Sequence, residues 1–592
     1  MEVIRASAAR RALRWQSAST LSRNWVCRSC RSQPVASLQF ARSRTTSAKP
    51  YYVTTPIFYV NAAPHVGHMY SMVLADVLKR WQTLTGKPAI LCTGTDEHGM
   101  KVQRSATVEG METKEFCDEN AAKFEKLAQK ANIDYDRFIR TTDPDHVQAV
   151  EYFWFLLREK GLIYEHEHAG WYCVSDECFY PESQIEKRMD PFTGEVFMAS
   201  VETGNKVEWI KEMNYHFRMT ALKDKLLDLY ETNPNWVVPA TRINYLVDWV
   251  KNNLEDLSIS RPAERLSWGI RVPDDESQTI YVWVDALINY ITKTGYPQWT
   301  PGLEHEGGWP ADVHVIGKDI LRFHCVYWPA LLLALDLPLP KQILSHAHWT
   351  MDRKKMSKSI GNVVNPMFAM DRWGVDTMRF YMIHDGGIAD DADYSNTMIQ
   401  ERYKKLLQFG LGNLTSRVAK PGRWSVREAI EWEGARFNRK LAPTANKSLD
   451  EAFATQHSVL TEVKGVVAEH MAKLNPSTAL QQLMRAVLEI NAFLGAATPW
   501  YLAKETDNPE SKELLQRTIY LAAENLRITG ILLQPFMPEK AAQLLDILGV
   551  SKEKRTFKDA NPYSDFDYGT PLVAPGSGKG GWNSLFPPLL EG

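Results

Sequence analysis

The sequence has 592 residues, with 69 Lys and Arg against 71 Asp and Glu and a formal charge of −2. At 44% hydrophobic and 24% charged residues it is globular, and its length calls for several domains, because single cores stop growing at about 250–300 residues. Seven Cys exclude a disulfide scaffold, and no run reaches the ~18 apolar residues of a membrane span; the best, Val326 to Leu335, carries Pro329.

The neutrality is an average. Residues 1–48 hold nine Arg and one acid, Glu2, so this segment carries +8 and leaves −10 for the remainder. Rich in Arg, Ser and Ala, without a continuous apolar stretch, it has the composition of a mitochondrial transit peptide and implies residence in the mitochondrial matrix. A basic arm for nucleic acid is the other reading of the same charge. Cys27-x-x-Cys30 lies here, with no second ligand pair at zinc-knuckle spacing.

Folded sequence begins at Tyr51. Tyr51–Val60 is aromatic and β-branched and reads as a buried strand, broken by Asn61-Ala62-Ala63-Pro64. An amphipathic helix follows, with Met69, Met72, Val73, Val77 and Trp81 on one face, and stops at Gly86-Lys87-Pro88. A second strand, Ala89–Thr93, leads into Gly94-Thr95-Asp96-Glu97-His98-Gly99. Together they form a βαβ unit of a doubly wound α/β fold, whose ligands sit at the carboxyl ends of parallel strands. His65-Val66-Gly67-His68 stands where strand gives way to helix. A helix N-terminus favours an anion, and two imidazole donors can stabilise charge developing at phosphorus. Far downstream, Lys354-Lys355-Met356-Ser357-Lys358-Ser359 clusters ammonium groups suited to a departing pyrophosphate.

The pair H-x-G-H and K-M-S-K-S, about 290 residues apart, resembles the class I aminoacyl-tRNA synthetases. From Tyr51 on, the chain is similar to the methionyl-tRNA synthetases, through Tyr51-Tyr52-Val53-Thr54-Thr55-Pro56-Ile57-Phe58-Tyr59-Val60-Asn61, Tyr281-Val282-Trp283-Val284-Asp285-Ala286 and Gly317-Lys318-Asp319-Ile320. The resemblance implies a Rossmann-type doubly wound catalytic domain in two pieces, 49–143 and 281–349, around a connective insertion, 144–280. A linking segment (350–396), an α-helical anticodon-binding bundle (397–555) and a tail (556–592) would follow. It also implies an ATP site of His65, Gly67, His68, Gly317, Asp319, Lys355, Ser357 and Lys358, with ATP entering as its Mg2+ complex. Of these, His65, His68, Lys355 and Lys358 would be catalytic and Asp319 would hold the ribose. Asp96 matches the Asp that pairs with the methionine ammonium. A catalytically silent relative that only binds tRNA is the alternative of another class.

The residue types suit that substrate. Ile320, His324 and Trp328 are four apart and share one face of a predicted helix; Trp283, Leu287 and Tyr290 do so on another. With Ile57, Tyr59 and Ala286 they form a flexible apolar slot, and a thioether gains about 0.3–1.5 kcal/mol against aromatic edges.

The insertion is too small for the editing domain of the leucine, isoleucine and valine enzymes. Where relatives carry zinc knuckles, this sequence reads Tyr172-Cys173-Val174-Ser175-Asp176-Glu177-Cys178, and no Cys or His pair follows in Met189–Val201. Two thiols make no tetrahedral site, so no structural zinc is expected; Trp171, Phe179, Trp209, Tyr215 and Phe217 should pack the insertion instead.

From Thr397 to Leu548 helical spacing dominates, as in Leu406, Phe409, Gly410, Leu414 and in Leu483, Val487, Ile490, Phe493. An acidic chain must gather local positive charge to hold a tRNA, and Arg402, Lys404, Lys405, Arg417, Lys420, Arg423 and Arg427 supply it. By resemblance, Asn413, Arg417 and Trp500 read the CAU anticodon, a task suited to stacking and edge hydrogen bonds. The tail, with Trp582-Asn583-Ser584-Leu585-Phe586-Pro587-Pro588, looks like the family's closing segment that folds back toward the catalytic domain. The expected partners are tRNA(Met), L-methionine and ATP, with no membrane, and the expected state is a monomer.

Overall fold

The computed structural model describes residues 49–190, 193–299, 302–356, 362–419, 422–436, 446–505, 507–573 and 584–589. Residues 1–48, Ser357, Lys358, Ser359, Lys420, Trp582 and Asn583 lie outside them. The chain forms two compact units. One takes the segment up to Ala63, Ile90–Lys126 and Tyr135–Leu344; the other takes Pro64–Ala89, Leu127–Asp134 and the chain from Ser345.

In chain order, β1 (Tyr51–Tyr59), α1 (Val66–Leu84), β2 (Ala89–Asp96), β3 (Arg137–Arg140), β4 (Val237–Val238), α2 (Val282–Thr292), β5 (Val313–Gly317) and β6 (Ile343–His346) carry the catalytic half of the sequence. The strands make one six-stranded sheet in the order β3-β2-β1-β5-β6-β4. Val53 pairs with Val313, Cys92 with Arg137 and Ile343 with Val237, all in parallel. Its central strands are buried along most of their length, as a sheet covered on both faces must be. β2 runs three residues past the expected Thr93 and ends on Asp96. Strand order reverses between β1 and β5, the crevice where such sheets bind ligands.

The insertion contributes a four-stranded antiparallel sheet built on Ile163–Cys173 and Glu208–Phe217. Phe217 is in its core and Trp171 meets Trp209 edge-on at 5.3 Å. Trp209 is nevertheless 56% exposed, so it covers an edge rather than filling the interior. Cys173 and Cys178 face each other across the ladder as buried thiols. Between them, Asp176 accepts hydrogen bonds from Tyr180 (3.0 Å), Thr203 (2.6 Å) and Asn205 (2.7 Å). That turn is thus closed by one carboxylate and three neutral donors.

In the second unit, Asp76 of α1 is fully buried and accepts from Arg379 at 2.5 Å and Arg80 at 2.8 Å. Arg379 also donates to the carbonyls of Ala131, Pro535 and Phe536, which satisfies a charge that would otherwise be costly to bury. Leu483, Val487, Ile490 and Phe493 enter the bundle core through the helix Pro476–Ala497. The first bundle helix departs from the expected α-helix. Asn396–Arg402 and Asn413–Ala419 are α, but Tyr403–Gly412 between them is a π-helix. Wider turns break the expected stripe, leaving Leu406 half-buried and Phe409 60% exposed. The closing segment packs on this helix, where Tyr403 donates to the Pro587 carbonyl at 2.6 Å and Phe586 is buried. Upstream, Phe557 meets Trp81 of α1 edge-on at 5.3 Å.

Candidate active site

β1 and β2 end side by side, with the Val60 N–H donating to the Asp96 carbonyl at 3.3 Å. Three polar atoms at this edge are buried and lack a hydrogen-bond partner among the described residues: the Tyr59 hydroxyl, Asp96 Oδ1 and the Trp283 indole N–H. Buried polar groups are normally paired, so such a cluster marks a place for a polar ligand. Burial, then the carboxylates of Asp285 and Glu177, push the Asp96 carboxyl well above its usual range. A cation beside it would reverse that shift.

Apolar walls surround these atoms. Tyr59 meets Trp283 perpendicularly at 6.2 Å, and Trp283 lies flat on Phe323 at 3.6 Å. Ile57 and Ile320 are half-buried; Ala286 and Leu287 are buried on α2. His324 donates from Nδ1 to the Ile320 carbonyl (2.9 Å), so its Nε2 accepts from the Tyr290 hydroxyl (2.7 Å). Burial pushes its pKa down to about 4, which keeps the ring neutral. The helix expected to carry Ile320, His324 and Trp328 on one face is instead a 3-10 turn (Lys318–Ile320), a π-helix (Phe323–Tyr327) and an α-helix (Trp328–Ala334). The wider turn brings Phe323 onto Trp283, a contact that four-residue spacing does not anticipate. Trp328 is fully buried behind Tyr290, with ring centroids 6.0 Å apart, and its N–H donates to His314 at 3.3 Å. Gly317 closes β5 at the switch point, and Asp319 is exposed just after it.

Behind the Asp96 loop, the buried Asp285 carboxylate accepts from His98 Nδ1 (2.6 Å) on one oxygen and from His146 Nε2 (2.8 Å) on the other. Burial raises its pKa, but the two histidines outweigh this and hold it below the usual carboxylate range.

In the second unit, His65 is the N-cap of α1. Its Nδ1 accepts from the Gly67 N–H at 3.1 Å, and His68 Nδ1 accepts from the His65 N–H at 3.1 Å. The rings stack at 3.8 Å. The amides expected to greet an anion are therefore taken by the imidazoles. With Nδ1 accepting, each ring carries its proton on Nε2 and becomes the donor itself. A Cβ at Gly67 would stand 2.9 Å from the His65 ring and would push that imidazole out of its place. The Val66 N–H donates to Val364, just beyond the Lys-rich loop, at 3.2 Å. Lys354–Lys355 form a short strand paired antiparallel with Trp349–Met351, across the left-handed residues Asp352 and Arg353.

At the bundle, the Arg417 guanidinium sits over the Trp500 ring, 5.1 Å from its centroid, and Asn413 is exposed four residues earlier. Several expected cations are committed elsewhere: Arg402 to Asp385, Lys405 to Glu401, Arg427 to Glu431. The positive surface is correspondingly narrower than the composition suggests.

A six-stranded parallel sheet reversing between β1 and β5, with H-x-G-H after β1, defines a class I aminoacyl-tRNA synthetase. Residues 51–419 match the family model described as tRNA synthetases class I (M). A probable mitochondrial methionine–tRNA ligase of Neurospora crassa is 63% identical, over all of this chain and 95% of that one. The human mitochondrial methionine–tRNA ligase is 39% identical, over 91% and 90%. The structure of Mycobacterium tuberculosis methionyl-tRNA synthetase in complex with methionyl-adenylate superimposes with a TM-score of 0.80 at 35% identity, covering 91% of this chain and all of that one. The chain belongs to this family, the methionine branch of the class I tRNA synthetases, and is an enzyme that joins methionine to tRNA.

Proposed function

We propose a division of labour for methionine activation and transfer, which the chain performs in the mitochondrion, the compartment named for its Neurospora crassa and human relatives. Asp96 takes the methionine ammonium, and the thioether lies among Tyr59, Trp283, Phe323 and Tyr290. One carboxylate oxygen of methionine attacks the α-phosphorus of ATP, supplied as its Mg2+ complex, and the bond to pyrophosphate breaks. His65 and His68 donate from Nε2 to the charge that develops, Gly317 and Asp319 hold the adenosine, and Lys355, Ser357 and Lys358 neutralise pyrophosphate. A hydroxyl of the terminal adenosine of tRNA then attacks the methionyl carbonyl carbon and AMP leaves. No nucleophilic side chain is needed; positioning and electrostatics carry the rate. Asn413, Arg417 and Trp500 read the anticodon, the enzyme acts as a monomer, and the Asp176 turn takes the place of a zinc knuckle.

The observation that carries this reading is the unpartnered, buried Asp96 oxygen beside the Tyr59 hydroxyl and the Trp283 N–H. ATP–pyrophosphate exchange measured with each amino acid tests it. Methionine should be the substrate and Asp96→Asn should lose exchange chiefly through a raised methionine KM. Unchanged KM in that variant would overturn the assignment.

A further inference from the structure

The first bundle helix changes from π to α bonding at Gly412–Asn413. At this change the Asn413 N–H is shared between the Gln408 and Gly410 carbonyls. The Gly410 carbonyl, on its second lone pair, also accepts from Asn491 Nδ2 at 3.2 Å. Asn491 lies on the helix Pro476–Ala497, and the same Nδ2 reaches the Val487 carbonyl at 3.2 Å. Its Oδ1 accepts from Arg417 Nη1 at 3.3 Å. Two carbonyls on one side and a guanidinium on the other allow the amide a single orientation, nitrogen inward and oxygen outward.

We propose that Asn491 is a positioning residue for anticodon reading: it locks to the π-to-α junction and holds Arg417 over Trp500. This rests on the reading of Arg417 and Trp500 as the residues that meet tRNA bases. An unheld Arg loses much side-chain entropy when it binds. With one corner of its rigid fork fixed on Asn491, the rest of the guanidinium is preset for a base edge or phosphate, while its face stays on the indole. Both hydrogen-bond partners of Asn491 outside its own helix lie in the first bundle helix, so it also sets the spacing between the helix that carries Arg417 and the one that ends before Trp500.

The test is aminoacylation of a CAU-anticodon tRNA transcript, with ATP–pyrophosphate exchange and thermal melting run on the same preparations. Asn491→Ala should lower kcat/KM for tRNA by about tenfold, the loss of one hydrogen bond to a charged group, with tRNA-free exchange unchanged. Asn491→Asp should lower it too, because a carboxylate would face the carbonyls of Gly410 and Val487 even though its charge attracts Arg417. Combining Asn491→Ala with Arg417→Ala should cost little more than Arg417→Ala alone. Wild-type tRNA efficiency in both Asn491 variants, or additive losses in the double variant, overturns the proposal while leaving Arg417 and Trp500 as base readers. If Arg417→Ala and Trp500→Ala themselves leave tRNA efficiency intact, the base-reading assignment falls and this proposal with it.

Discussion

His98 and Asp285 meet at 2.6 Å in the interior, and each stands two residues beyond a group at the candidate methionine site, Asp96 and Trp283 respectively. Asp96 ends β2 and His98 lies in the loop that follows, so anchoring His98 on Asp285 fixes the backbone that carries Asp96.

Asp285→Asn would present an amide where His98 and His146 both need an acceptor, leaving one imidazole N–H opposed. Misplacement of a substrate-binding group is costly even at 1 Å, so the methionine KM should rise roughly tenfold or more. A lower melting temperature should accompany it. Exchange kinetics at varied methionine check this, and an unchanged KM would deny His98 any hold on Asp96.

His65 caps α1 through Nδ1 and donates through Nε2, and substitution can separate the two. Asn is a good N-cap but reaches no further. His65→Asn should keep the melting temperature and cut the exchange rate by ~10²-fold or more, as for a lost oxyanion donor. His65→Ala should lose both.

Phe323→Ala removes the ring stacked on Trp283. Such pairs contribute about 0.5–1.5 kcal/mol beyond area. Methionine KM should rise several-fold with kcat little changed, measured by exchange.

Lys358→Ala should slow adenylate formation by ~10²–10³ while methionine binding, followed by tryptophan fluorescence, hardly changes. Unaffected exchange would remove Lys358 from the pyrophosphate site.

Acid should unfold the first unit through its buried imidazoles. Burial pushes His324 and His168 down to about 4, while an unfolded His titrates near 6.5. Between those values the unfolded chain binds protons that the folded chain refuses, so stability is full above pH 6.5 and is lost as pH falls toward 4. For His324 the loss is about 3 kcal/mol. Melting temperatures from pH 7 to pH 4 should fall, and His324→Gln should flatten the slope.

Much of the fold was legible because its signals are local. The aromatic run at Tyr51 and the repeats of α1 specify strand and helix without help from the rest of the chain. Asp96, Tyr59 and Trp283 could be picked out as residue types at strand and helix ends. Phe323 could not, because only the π-helix Phe323–Tyr327 turns it onto Trp283, and no simple repeat encodes i→i+5 bonding. Depth is also outside what spacing encodes: the four-residue repeat puts Trp328 on one face with Ile320, and only the fold sets its ring behind Tyr290. The charge count at the bundle also needs the fold, since Arg402 pairs with Asp385, an acid from outside the stretch that supplies those cations.

The ten residues Tyr403–Gly412 give the first bundle helix a phase. An α-helix advances about 100° per residue and a wider turn somewhat less, so deleting one residue with the bonding pattern otherwise kept would rotate Asn413 and Arg417 by nearly that angle relative to Asn396–Arg402. No contact residue need change for Arg417 to swing off Trp500. The length of this segment, rather than any one side chain in it, is then what selection must guard: point substitutions should be tolerated across its exposed positions where one-residue insertions and deletions are not.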